Sequence, residues 1–226
     1  SKNTGTNKFA FAMYFLGLFN LMFNWGHHIY TLPTENYIRY IGYIVSMTEW
    51  IFFIKIIYDW KASISKFQKK YYYFPYRFLM AADIWVFLNL GQAILMSIPA
   101  INIYTHGTHI TVAHAMGTTI GINTMILLAV CFEFFNRKEK SNYLNYLFWI
   151  LQISLLVFWL SLNGAGIQKG IWQLSSHQES YSKMMETLTP YFIIFVIAGF
   201  GLLISFFAIA IKLLKNSTNS LIINKF

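Results

Sequence analysis

A chain that keeps returning to apolar runs long enough to cross a bilayer has few folds open to it, because inside hydrocarbon each backbone polar group must be satisfied without water. Six such runs follow one another here, at about Phe9–Tyr30, Tyr37–Tyr58, Phe78–Ile98, His109–Phe135, Tyr143–Gly164 and Pro190–Leu214. They predict an all-α, polytopic membrane bundle of about six transmembrane helices, forming one membrane domain over residues 1–226. With 57% hydrophobic and only 11% charged residues, the chain is too apolar for a soluble domain. No soluble segment and no internal repeat interrupts the pattern.

A net charge of +9 would suit nucleic acid if it were spread over one face, but Lys and Arg gather in short segments between the runs. The N-terminal tail, Asp59–Arg77, Asn136–Asn142 and the C-terminal tail hold most of them. The alternate connections hold Arg39, Lys169 and Lys183. By the positive-inside rule both termini are then cytoplasmic, and the lipid bilayer rather than nucleic acid is the partner implied. Cys131 is the lone cysteine, which excludes an internal disulfide and any cysteine-built cluster. The first residue is Ser1, and nothing after it has the layout of a signal peptide, so processing or a larger parent chain is open.

Histidine carries the chemistry. His27 and His28 close the first run in WGHHIY, and His106, His109 and His114 open the fourth in YTHGTHITVAHAM. All five fall toward the outer side in the predicted topology, at one depth, where an ionisable group is costly and usually has a task. Imidazole suits iron, copper or zinc, and His27 and His28 can share one metal. His114 and Met116 are two residues apart, so they point about 200° apart on a helix and would serve different haems. Both residue types are axial haem ligands, and Ala113, Ala115 and Gly117 leave room for a macrocycle. Hydrogen-bonded histidines between helices, with Met116 as packing, satisfy the same pattern, and spacing does not separate the two.

INIYTHGTHITVAHAMGTTIGINTMILL resembles the tenth-helix signature of the nitric oxide reductase large (catalytic, cytochrome b) subunit, a branch of the haem-copper oxidase superfamily. WGHHIY followed by Glu49 is similar to that family's seventh-helix histidine pair and eighth-helix glutamate. NGAGIQKGIWQ resembles its segment between the last two spans. The resemblance covers essentially the whole chain and is most specific at the histidine pair, at Glu49 and at YTHGT with the following AH. It implies the C-terminal half, helices seven to twelve, of a twelve-helix scaffold in the bacterial cytoplasmic membrane, with the metal site toward the outer side.

By this resemblance His27 and His28 are ligands of a non-haem iron, His114 holds a high-spin haem b, and Glu49 is the catalytic carboxylate beside the binuclear centre. His106 matches a family histidine and is given no ligand role. The implied activity is denitrifying electron transport, the reduction of two nitric oxide molecules to nitrous oxide and water. Where the family has a second histidine two residues after the high-spin ligand, for a low-spin haem b, this chain has Met116. A His/Met haem of raised potential is one expectation, and loss of that haem the other.

The remaining iron and haem ligands lie in the family's other half, so a second chain or half is expected to complete the catalyst. The electron donor, quinol or cytochrome c, is also decided there. A nitric oxide dismutase-like enzyme, making dinitrogen and oxygen, and a non-catalytic haem-bearing subunit are the alternatives. Asp83, near the start of the third run, is a candidate entry to a proton route, with a structural carboxylate as the competing reading. Glu133 and Arg137, spaced i and i+4, read as an interfacial pair.

Overall fold

A computed structural model describes residues 3–67, 73–135, 141–175 and 179–223, and these are almost entirely helical. In chain order the helices are α1 (Asn3–Phe23), α2 (Asn36–Met47), α3 (Glu49–Phe67), α4 (Phe74–Ser97), α5 (Pro99–Thr105), α6 (His109–Met116), α7 (Met125–Phe135), α8 (Asn142–Leu174) and α9 (Tyr181–Ile223). A 3-10 segment, Asn24–Ile29, continues α1, and a π-helical segment, Gly117–Thr124, joins α6 to α7. Among the described residues five stretches are long and apolar enough to cross a membrane: Asn36–Asp59, Phe74–Ser97, His109–Phe135, Asn142–Leu174 and Tyr181–Lys215. The first expected span is shorter as a described apolar helix, Ala10–Phe19.

Several boundaries differ from the expected ones for identifiable reasons. The second expected span is two helices that break at Thr48, whose hydroxyl turns back onto the Val45 carbonyl at 2.6 Å. Proline acts as the sequence suggests: Pro75 lies in the first turn of α4, where its missing N–H costs nothing, and Pro99 starts α5 after extended Ile98 ends α4. The expected polar connection after Gly164 is instead the last third of α8. Its glycines are packing sites. A side chain at Gly170 would meet the Tyr104 carbonyl oxygen at 2.0 Å, and one at Gly166 the Ile110 amide nitrogen at 2.4 Å. α9 likewise begins before Pro190, because Met184 and Leu188 bury against Ala165 of α8. Of that expected connection, His177 lies outside the described residues.

The core sits where α4, α7, α8 and α9 meet. Phe132 of α7 stacks between Phe74 and Phe78 of α4, with ring centroids 5.6 and 5.3 Å away, and Leu151 and Leu155 of α8 are fully buried beside them. Buried Arg77 is held there by a 2.7 Å hydrogen bond from Nη1 to Asn145 Oδ1 and by the Phe148 ring, 4.3 Å from its guanidinium carbon. Glu133 accepts a hydrogen bond from the Tyr73 hydroxyl, whereas its expected partner Arg137 lies outside the described residues.

Candidate functional site

Beside this core, six parts of the chain line a cavity of about 590 Å³. The 3-10 segment supplies His28, the start of α3 supplies Glu49, α4 supplies Ala93 and Met96, and α5, α6 and the turn between them supply Asn102, His106, Thr111 and His114. Each is positioned by a local feature of the sequence. Gly26 and Gly42 bring the 3-10 segment and α2 into backbone contact: a Cβ on Gly26 would lie 2.6 Å from Gly42 Cα. His28 is thereby carried to the cavity rim. The break at Thr48 makes Glu49 the first residue of α3, where the helix dipole favours a carboxylate, and Glu49 is only 9% exposed.

The His106–Thr108 turn fixes the opposite wall. Gly107 adopts φ +69°, a conformation that strains any other residue, and lets the chain reverse between α5 and α6. Thr108 then caps α6: its hydroxyl donates to the Thr105 carbonyl at 2.7 Å and accepts from the Ile110 amide at 3.3 Å. Lys169 of α8 donates to the Gly107 carbonyl at 2.9 Å, pinning the turn from outside. Asn102 ties the α4–α5 corner by donating to the Met96 carbonyl at 2.8 Å. With α6 started at His109, the ring of His114 falls on the cavity side.

The expected site residues part company here. His28, Glu49 and His114 come together on one cavity, joined by His106, which the sequence reading left without a role. The side chain of His27 lies outside the described residues. His109 turns away, packing edge-on against Phe192 of α9 with centroids 5.1 Å apart. Met116 also turns away, as its spacing from His114 requires, and packs against the apolar core. Asp83 is exposed on α4 and is not part of the cavity wall. Among the described residues no group of three or more His, Cys, Asp or Glu side chains is close enough to hold a metal by itself.

The residues present fit a haem at His114. Its imidazole lines a cavity large enough for a cofactor, and histidine is an axial ligand type for haem iron. For a metal facing that ring, the described donors are His28 and Glu49, a mixed imidazole and carboxylate set suited to iron. That set is incomplete on its own.

In this helical chain with five apolar helices of membrane-spanning length, imidazoles and a buried carboxylate line one cavity. The family described as Cytochrome C and Quinol oxidase polypeptide I matches residues 2–201, and the chain belongs to that family. It is a haem-copper oxidase-type subunit, from a family of membrane-integral oxidoreductases that bind haem and a metal centre and work with other subunits.

Proposed function

We propose that this subunit is the C-terminal half of a nitric oxide reductase, which takes two nitric oxide molecules, two electrons and two protons to one nitrous oxide and one water. The observation that carries the reading is that a single cavity gathers His28, Glu49 and His114, three positions at which the nitric oxide reductase resemblance is specific. His114 would hold a high-spin haem b, and His28 with His27 a non-haem iron. When bound, these groups would supply the site for nitric oxide and the electrons it takes up. The protein's own part is to keep the pocket small and dry, to orient the imidazoles from two independently braced segments, and to hold a proton on Glu49 within reach of the reacting oxygen. The other iron and haem ligands come from a partner chain or half, which also receives electrons from quinol or cytochrome c. In the bacterial cytoplasmic membrane, with both termini cytoplasmic, the cavity would lie toward the outer side.

Met116 supports a second reading. It stands partly buried against the core where the family has the low-spin haem's histidine, and a dismutase-like enzyme needs that haem less. Gas analysis of the purified complex under nitric oxide separates the two. Nitrous oxide with consumption of a reductant supports the reductase, dinitrogen with oxygen supports the dismutase, and oxygen consumption with no reaction of nitric oxide overturns both.

A further inference from the structure

Where α8 begins and the apolar part of α9 ends, the two helices border a groove of about 460 Å³. Its lining changes character along its length. Leu203, Ile204 and Phe207 of α9 line the inner part, and Tyr143 of α8 with Lys212 and Lys215 of α9 line the outer part. Spacing explains the division. Ile204, Phe207, Ile211 and Lys215 recur every three or four residues and so share one face of α9, while Leu202, Ser205 and Ile209 turn into the core. Ala208, midway along the groove, adds only a methyl group to its floor.

The outer part is built to attract an anion. Among the described residues two ammonium groups line it and no carboxylate does, and the Tyr143 hydroxyl is a further donor. Tyr143 also stands in the first turn of α8, which has no acidic residue and no side-chain cap from Ser141, so the positive end of the α8 dipole lies at the same place. The inner part suits only hydrocarbon. Leu203, Ile204 and Phe207 are exposed on a helix long and apolar enough to cross a membrane. From Leu203 to Lys215 that helix rises about 18 Å, close to one leaflet of a hydrocarbon core about 30 Å thick.

We propose that this groove binds one anionic glycerophospholipid, with its phosphate on Lys212, Lys215 and Tyr143 and an acyl chain laid along Leu203, Ile204 and Phe207. Charge at one end and apolar surface over the length of a leaflet match the two parts of such a lipid; a free phosphate would use only the first and an apolar helix only the second. On the proposed topology the headgroup lies in the cytoplasmic leaflet. The groove shares no residue with the His114 cavity, so the lipid site does not depend on which gas the complex reduces.

Photolabelling of the intact complex in phosphatidylcholine nanodiscs tests the site. A phosphatidylglycerol carrying a diazirine in mid-chain is expected to label residues 203–211 and to be displaced by unlabelled phosphatidylglycerol, but not by phosphatidylcholine or inorganic phosphate. Ile150 and Ile153, exposed on α8, are the internal control and should be labelled equally by phosphatidylglycerol and phosphatidylcholine probes. Lys212→Gln and Lys215→Gln should each lower the apparent affinity for phosphatidylglycerol roughly fivefold, whereas Lys212→Arg and Lys215→Arg keep it. Equal labelling of the groove by both probes would reduce the lysines to topology markers. Displacement by inorganic phosphate would make this a site for the free anion, and no labelling of residues 203–211 would give the groove to a protein partner. Each of these results overturns the proposal. Comparing the two probes needs only the wild type, so the test decides even where a variant fails to assemble. No readout involves nitric oxide turnover, so the lipid site can fail while the reductase reading stands, or the reverse.

Discussion

The His114 ring lines the cavity, while five residues earlier His109 is outside its wall, with its ring edge-on to Phe192. That contrast is why His114→Ala is expected to remove the ligand-binding haem and its carbon monoxide difference spectrum, with the protein still inserted in the membrane, whereas His109→Ala keeps the spectrum. A normal spectrum in His114→Ala removes that residue from the haem site. Glu49 gives a subtler prediction. Exchanging it for Gln preserves size but removes the acidic proton, so Glu49→Gln should assemble with normal haem content and lose at least about a hundredfold in turnover, the lower range of general acid–base contributions. Full activity in that variant makes Glu49 structural and sends protons by another path.

Between elements the site depends on backbone contacts that side-chain chemistry does not announce. His28 is held to the cavity because Gly26 and Gly42 touch, and a Cβ on Gly42 would lie 2.9 Å from the Gly26 carbonyl carbon, which cannot swing aside as a side-chain tip can. Gly42→Ala should therefore push the 3-10 segment off α2, at about 1–3 kcal/mol. Metal analysis should show non-haem iron falling while the His114 haem remains. Iron at the wild-type level would mean that the segment is positioned by something other than this contact.

This is also where sequence reading reaches its limit. The apolar runs and the boundaries at Pro75 and Pro99 could be read from residue type and spacing, because hydrophobic length is a local property, whereas the place of Glu49 beside His28 and His114 was implied only by the family resemblance. The helical course of Gly164, Gly166 and Gly170 could not, since glycine reads as a loop former and only the Tyr104 and Ile110 backbones reveal it as a place of close approach. The close approach of Gly117 to Asn89 and of Gly121 to Trp85 depends on contacts between distant parts of the chain. His106 was visible as a residue, but its place in the cavity wall follows from the Gly107 turn.

For the molecule as a whole, the decisive asymmetry is that His28 borders the cavity and is nonetheless exposed, while His114 and Glu49 are sheltered by α4 and α6. A metal centre cannot work open to lipid, because the dry, fixed surroundings that make its charges effective would be missing on that side. On the proposed function, a partner lying against α1–α3 would supply the cover. On the removed-cysteine background Cys131→Ser, Ile44→Cys on α2 and Ile51→Cys on α3, both exposed, should crosslink to the partner half in native membranes. Ile204→Cys on α9, equally exposed but on the far helix of the α8–α9 pair, should not. Iron should be retained by the crosslinked complex and absent from this subunit expressed alone, because the described residues do not complete a metal site. Crosslinks from α9 instead of α2 and α3, or full iron in the lone subunit, would show that the cavity is closed by this chain itself and that the missing ligands are not supplied from the α1–α3 side.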